Sequence, residues 1–367
     1  MALVSLIRFS RRVKHWSCRR GNAKTLRAPR AKHAILPRVT SRNRFRFLFS
    51  QKLLSILLVA LFAGETALAA PPRGEGVLES SPRSEALPLL RSRQNHLLVR
   101  AYVNNKSAWL CVDSGAPISA IALHRRKHFR LTGTTAQSEI PTRLRINGAF
   151  DNVAIAKSFR LGSLNLVDEP VVIIDLGSSN RASRLLDEQE IDGIIGADIL
   201  FSTKAVLDCQ QQLLILKMDP ELPGNAPGVD FRGFHGLPMH VSESFNLYVD
   251  TSINGTPARL MVDTGAFATL LHQSFVRQMR IPTRETPFTS AAVNLKQRGV
   301  DIAKIRRLSL GHINIVGKDV GVVDLEGLIH NGLLDATPPV AGLLGSEILR
   351  QHHGIIDFGT RTLYLKK

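Results

Sequence analysis

Cysteine and aromatic residues are scarce in this chain, and acidic residues are almost missing from its first 70 positions. With three cysteines in 367 residues there is no paired Cys-x-x-Cys. Cys18 lies in the leading segment, which leaves Cys111 and Cys209 for one disulfide at most. Both sit in apolar, strand-like runs, and Met261 and Phe358 take the matching places further along, so they read as small buried apolar residues. Aromatics at 6% of a chain that is 44% hydrophobic leave Val, Ile and Leu to build the cores, with enough material for two domains. There is no phosphate-binding Gly-Lys loop and no His-Glu-x-x-His helix, and His352-His353 are adjacent rather than spaced for one helix face. No metal or cofactor is expected.

The near absence of acids from the start accounts for most of the +18 formal charge. Residues 1–70 hold 15 of the 48 Lys and Arg but only one of the 30 acids, Glu65, so the remainder carries 33 bases against 29 acids, a net of +4. That nearly neutral body removes the main support for a nucleic-acid partner. The leader itself reads as a signal peptide: Arg42, Arg44, Arg46 and Lys52, an apolar run over 53–63, then Ala67-Leu68-Ala69 before Ala70. The run is about half the ~20 residues that span a bilayer, so membrane contact is expected only in transit, and the body is expected to be exported, periplasmic or secreted. An Arg-rich organelle transit peptide and an uncleaved leader acting as an anchor are the alternatives.

What is abundant is repetition. Leu110-Cys111-Val112-Asp113-Ser114-Gly115-Ala116 returns as Leu260-Met261-Val262-Asp263-Thr264-Gly265-Ala266, an offset of 150 that also places Pro88 on Pro238 and Asn104 on Asn254. Later the offset is 149, setting Gly162 on Gly311, Asp175-Leu176 on Asp324-Leu325, Gly193 on Gly342 and Asp208 on Asp357. A register held this long is a duplicated domain, with a one-residue slip between about Ile121 and Gly162.

Each half alternates short apolar runs with turn residues, which predicts a mostly-β protein of two similar lobes. Asn104-Asn105 and Asn254-Gly255 suit the positive φ of two-residue hairpins, a better account of these asparagines than glycosylation. Strands are expected over 171–176 with 320–325 and over 205–216 with 354–365, and short helices over 197–201 and 346–351. Pro220, Pro223, Gly224, Pro227 and Gly228 mark a linker over 218–230. The expected partition is a leader over 1–70, a flexible segment over 71–86, lobes over 87–217 and 231–367, and the linker between them.

A single Asp-Ser/Thr-Gly arises by chance in roughly one chain of this length in five to ten. Two copies at one place in a repeat are stronger, because each follows an apolar strand and each precedes a second shared motif about 80 residues on. That motif is Gly193-Ile194-Ile195-Gly196-Ala197-Asp198 in the first half and Gly342-Leu343-Leu344-Gly345-Ser346-Glu347 in the second. Two carboxylates about 3 Å apart cannot both ionise cheaply, so they share a proton and split their pKa values. Such a pair can take a proton from water and polarise a carbonyl with no metal and no covalent intermediate.

On these motifs the chain, over about residues 88–366, resembles the retropepsin-like aspartic peptidases. The resemblance implies two tandem closed β-barrel lobes of the acid protease fold, with Asp113 and Asp263 as the catalytic pair. It implies support from Ser114, Gly115, Thr264 and Gly265 in the turns, and from Ile195-Gly196 and Leu344-Gly345 beside them. The implied activity is that of an aspartic-type endopeptidase acting on a polypeptide in the cleft between lobes. Retropepsins assemble the site from two identical chains, whereas here both lobes lie in one chain, so a monomer is expected. Ala116 and Ala266 stand where pepsin-like enzymes tend to carry a hydroxyl, and fewer donors predict a less acidic pH optimum. Pro117 in one lobe against Phe267 in the other marks the lobes as non-equivalent. Asn147-Gly148 and Gly299 are the candidate flap tips. Asp198 and Glu347 are expected to serve the N-termini of short helices, and Asp208 and Asp357 to hold turns. A different class, a non-catalytic peptide-binding or scaffolding protein, would keep the same fold but would be expected to lose one Asp.

Overall fold

A computed structural model describes residues 5–8, 84–133, 152–217, 228–291, 298–330, 333–335 and 338–367. Each lobe is built on a ring of six strands. In the first lobe Leu97–Val103 pairs with Lys106–Val112, then come Gly193–Ile195, Ala120–Ala122, Leu164–Ile174 and Val153–Leu161, which returns to the first strand through Tyr102↔Arg160 and Val103↔Phe159. The second lobe repeats the ring with Leu247–Ile253, Thr256–Val262, Gly342–Leu344, Leu270–His272, Ile313–Val323 and Asp301–Leu310, closed by Ser252↔Ser309 and Ile253↔Leu308. Closure leaves no free strand edge in either ring.

The residues dictate this locally. Along Leu97–Val103 the pattern of burial puts Val99, Ala101 and Val103 inside and Arg100 and Tyr102 outside, a period of two. The hairpins that follow turn on Asn104 (φ 48°) with Asn105 (φ 62°) and on Asn254 (φ 54°) with Gly255 (φ 89°), the left-handed pair a tight two-residue turn requires. The asparagine side chains add a tie: Asn104 Oδ1 accepts Ser158 N–H at 3.0 Å, and Asn254 Oδ1 accepts Arg306 N–H at 2.8 Å. The barrels are filled by aliphatics such as Leu97, Leu110, Ile121 and Leu161 with few aromatics, Phe129 and Phe159 among them. Each such side chain stabilises the fold by about 1.5–3 kcal/mol. Cys111 and Cys209 are buried free thiols.

The lobes are joined by a six-stranded antiparallel sheet. Its order is Ser84–Arg91, Leu213–Lys217, Val206–Asp208, Ile355–Asp357, Thr362–Leu365 and His235–Val241, three strands from each lobe. At its centre Val206↔Asp357, Leu207↔Ile356 and Asp208↔Ile355 pair symmetrically, so the pseudo-twofold axis passes through Leu207 and Ile356. The strand beginning at Ser84 belongs to this sheet, so the ordered body starts before residue 87. A separate three-stranded sheet holds Ser5–Arg8, Phe288–Ala291 and Arg298–Gly299.

The helices Ala197–Ser202 and Ser346–Gln351 fall where the sequence suggests. Three more do not show in the hydrophobic pattern: Gly177–Leu185, Gln273–Gln278 and Glu326–His330. Two of these begin after an Asp turn, Asp175 Oδ1 accepting Gly177 N–H at 2.7 Å and Asp324 Oδ1 accepting Glu326 N–H at 2.9 Å. The positive-φ residues Arg130 and Arg280 still match at offset 150, while the hairpins 153–174 and 302–323 match at 149, so the slip lies between Leu131 and Val153. Among the described residues no helix is long and apolar enough to cross a membrane. Most of the linker, 218–227, and the candidate flap tip Asn147-Gly148 lie outside the described residues. Gly299 is described, and it is not a tip. It sits in a strand, paired with Thr289.

Candidate active site

Each Asp turn sits at the end of a strand that the chain leaves and re-enters around a third one. Gly193–Ile195 runs parallel to Lys106–Val112, which feeds Asp113, and antiparallel to Ala120–Ala122, which leaves the turn. Gly342–Leu344 lies in the same way between Thr256–Val262 and Leu270–His272. The threaded strand therefore grips both ends of the turn. Asp113 N–H donates to the Ile195 carbonyl at 3.0 Å, and Asp263 N–H to the Leu344 carbonyl at 3.0 Å.

Gly196 and Gly345 close the support. A side chain there would collide with backbone: a Cβ on Gly196 would lie 2.5 Å from the Ile118 carbonyl carbon, and one on Gly345 2.3 Å from that of Ala268. Their N–H groups donate to Ser119 Oγ at 3.0 Å and Thr269 Oγ1 at 3.1 Å. Asp198 Oδ1 accepts from both the backbone N–H and the hydroxyl of Ser119, at 3.0 and 2.7 Å, and Glu347 Oε2 accepts Thr269 N–H at 2.8 Å. The acids after the support motif thus hold the loop that leaves the Asp turn. Asp198 also accepts Ile199 N–H at 2.9 Å, within its own helix. Ser119 and Thr269 escaped the sequence reading, though a hydroxyl six residues after each Asp in both halves was a usable signal. Asp208 and Asp357 hold turns, Asp208 Oδ1 accepting Gln211 N–H at 2.8 Å and Asp357 Oδ1 accepting Gly359 N–H at 2.9 Å.

The two turns are brought together and locked. Ser114 Oγ donates to the Val262 carbonyl (2.8 Å) and accepts Thr264 N–H (3.1 Å). Thr264 Oγ1 donates to the Val112 carbonyl (2.8 Å) and accepts Ser114 N–H (3.0 Å). Gly115 and Gly265 matter here for space rather than for left-handed backbone. A Cβ on Gly115 would stand 2.7 Å from Asp263 Cγ, and one on Gly265 2.5 Å from Asp113 Cγ, so only glycine lets each carboxyl lie against the opposite turn.

Asp113 Oδ1 accepts Gly115 N–H at 2.9 Å; Asp263 Oδ1 accepts Gly265 N–H at 2.9 Å and Ala266 N–H at 3.0 Å. Both side chains are fully buried, and their Oδ2 atoms have no conventional partner among the described residues. Burial raises both pKa values. Asp263 is pushed well above the usual carboxylate range, first by burial and then by the charge of Asp113. Burial followed by the two carboxylates also drives the Cys111 thiol well up, which keeps it unreactive. This is the electrostatic signature of two acids that hold one proton between them.

His96 is a neighbour that the sequence did not single out. It is wholly buried, its ring packs against the Gly265 carbonyl, and neither ring nitrogen completes a hydrogen bond among the described residues. Burial lowers its pKa to about 4, so it is neutral at pH 7. His352 is tied instead to the chain end, Nδ1 lying 3.0 Å from the Lys366 carbonyl.

Two family models match the chain, one per lobe. Residues 99–199 match the aspartyl protease family, and residues 249–351 match the gag-polyprotein aspartyl protease family. The chain carries two retropepsin-like aspartyl protease domains in tandem. Its mostly-β, doubly closed architecture is that of the acid proteases, and its activity class is that of an aspartic-type peptidase with a polypeptide substrate. No curated protein sequence matches the tandem protease. Among solved structures, the aspartic proteinase from Irpex lacteus aligns at a TM-score of 0.44 and 13% identity, over 77% of this chain and 97% of that one.

Proposed function

We propose that the protein is an aspartic endopeptidase in which Asp113 and Asp263 form one catalytic pair. The observation that carries this reading is the reciprocal packing of each buried carboxyl against the other lobe's glycine, with Ser114 and Thr264 locking the turns. The pair holds one proton between its two carboxyls. The protonated carboxyl donates to the scissile carbonyl oxygen while the ionised one takes a proton from the attacking water. Collapse of the tetrahedral intermediate returns a proton to the leaving amine. An extended polypeptide in the cleft between lobes is the substrate, and both lobes in one chain support a monomer. The signal-like leader supports export to the periplasm or secretion.

The test is cleavage of an unbiased peptide library by the native protein and by Asp113→Asn and Asp263→Asn, with and without a pepstatin-type inhibitor. Both substitutions should abolish cleavage. Unchanged turnover in either one removes the pair, and an inactive native protein across a broad pH range would favour a non-catalytic peptide-binding role.

A further inference from the structure

The two lobes share a barrel topology, and among the places where their side chains differ is the strand frame around Asp192 and Ala341. In the first lobe Asp192 N–H donates to the Trp109 carbonyl (2.8 Å) and Ala122 N–H to the Asp192 carbonyl (2.9 Å); in the second, Ala341 and Arg259 (2.8 Å) and His272 and Ala341 (2.8 Å) repeat these bonds. The side chains on this common frame are not alike. Asp192 bridges the frame to its surroundings, binding Arg125 Nε at 2.7 Å and Trp109 N–H at 2.9 Å, and Arg100 lies over the Trp109 ring at 4.9 Å. The second lobe has Ala341 for Asp192, Phe275 for Arg125 and Arg259 for Trp109. The Arg259 guanidinium is held by Asp250, Nε to Oδ1 3.1 Å. A cavity of about 480 Å³ opens where the first lobe carries its ion pair.

The walls of this cavity combine an apolar body with anionic heads. Phe275, Met279, Ile329, Val340 and Ala341 supply the apolar surface. Glu326 and Asp335 line it, and Arg259, the lining cation among the described residues, is paired with Asp250. Glu326 stands at the mouth, Oε2 3.7 Å from His272 Nε2 and Oε1 3.3 Å from His330 Nδ1. His272 Nδ1 accepts Leu325 N–H at 3.2 Å, which puts the proton of the neutral ring on Nε2, facing Glu326. Asp335 packs against Tyr248, its N–H donating to the Tyr248 hydroxyl oxygen at 3.1 Å, and its Oδ2 is buried, which leaves Oδ1 as the oxygen it can offer a ligand. A volume of this size suits a small organic molecule, and the two lining carboxylates select its charge.

We propose that this cavity of the second lobe is a ligand site, separate from the Asp pair, for a small organic cation with an apolar body. The amine meets Glu326 and Asp335, and the apolar body packs on Phe275, Met279 and Val340. The internal repeat shows the converse state: where Asp192 and Arg125 are present, the frame satisfies itself.

Calorimetric titration of the full chain with phenethylamine tests this, with 2-phenylethanol and 3-phenylpropionate as neutral and anionic controls of the same shape. Phenethylamine should saturate, the alcohol should bind about tenfold or more weakly, and the acid should not bind. Glu326→Gln with Asp335→Asn should bring the amine down to the level of the alcohol. Phe275→Arg with Ala341→Asp rebuilds the first lobe's ion pair and should abolish binding, with peptide cleavage retained. The proposal is overturned by no saturable binding of phenethylamine up to ~10 mM, by equal binding of amine and alcohol, or by binding that survives in a folded plugged variant. If the plugged variant does not fold, the carboxamide pair decides alone.

Discussion

His96 offers a measurable handle on the floor of the site. Its ring is wholly buried against the Gly265 carbonyl, and its pKa falls from 6.5 to about 4 because burial disfavours the imidazolium. A base with a depressed folded pKa binds fewer protons folded than unfolded between these values. The stability it contributes is complete above pH 6.5 and is lost as pH falls to about 4. A displacement of this size corresponds to about 3 kcal/mol, or roughly 5 °C in melting temperature for a folded body of this length. The perturbation is His96→Asn, the residue that the second lobe uses at Asn246, where Nδ2 donates to the Leu333 carbonyl at 3.0 Å. Substitution shifts the baseline, so the quantity to compare is the slope: urea unfolding of both proteins at steps from pH 7 to pH 4. The dyad has the opposite sign, since acids with raised pKa values stabilise below the unfolded carboxylate range and lose that contribution as pH rises. It is common to both proteins and cancels in the difference. The native protein should lose about 3 kcal/mol relative to the variant across the window. Parallel stability curves would mean that His96 charges without cost, and the buried, unpaired ring would then be the wrong description.

Three further outcomes follow from the same geometry. Thr264→Val removes a hydroxyl that serves Ser114 N–H and the Val112 carbonyl, leaving two buried groups unpaired at a cost of about 2–5 kcal/mol in chemical denaturation; Thr264→Ser, which keeps the oxygen, should lose under about 1 kcal/mol, and equal losses would remove the lock from the account. Gly265→Ala drives a methyl to within 2.5 Å of Asp113 Cγ, so kcat on a peptide substrate should fall by about 100-fold or more with secondary structure unchanged by circular dichroism. Ala116 and Ala266 bring no hydroxyl to the pair, and burial raises both acids, so the pH profile of cleavage should peak well above that of a gastric-type enzyme. A maximum near pH 2 contradicts it.

How much of this was legible beforehand depends on how local each feature is. The hairpins at Asn104-Asn105 and Asn254-Gly255 are decided by two residues whose left-handed φ the sequence advertises. The duplication was legible because its register runs nearly unbroken. Ser119 and Thr269 were not, because their role depends on Gly196 and Gly345 arriving about 77 residues later in sequence, a relation that exists only once the strand is threaded. Helix Gly177–Leu185 opens on Gly, Ser, Ser and Asn, weak formers that carry no apolar period, and it stands because Asp175 starts it and Asn180 anchors it, Nδ2 donating to the Ile191 carbonyl at 2.9 Å. Gly299 was misplaced because a glycine signals a turn only where no neighbouring strand claims it, and Thr289 does.

The same contrast between local and threaded features explains where the lobes were free to diverge. Positions that face the pseudo-twofold axis are held by reciprocal constraints: Ser114 needs Thr264, Gly115 must clear Asp263, and Val206 must pair with Asp357. A change on one side there damages both lobes. Contacts one shell out are already asymmetric, with Arg350 reaching Asn95 Oδ1 at 3.5 Å on one side and the Phe201 ring lying 5.9 Å from that of Phe245 at the equivalent place on the other. Further from the axis, on the Asp192 and Ala341 frames, a whole ion pair has been exchanged for a cavity while every backbone bond of the frame is kept. Divergence therefore grows with distance from the axis, because only there does a substitution answer to one lobe alone. New specificity in this protein is to be sought on those outer frames, and the invariant part of the chemistry at the axis, where duplication left no independent choice.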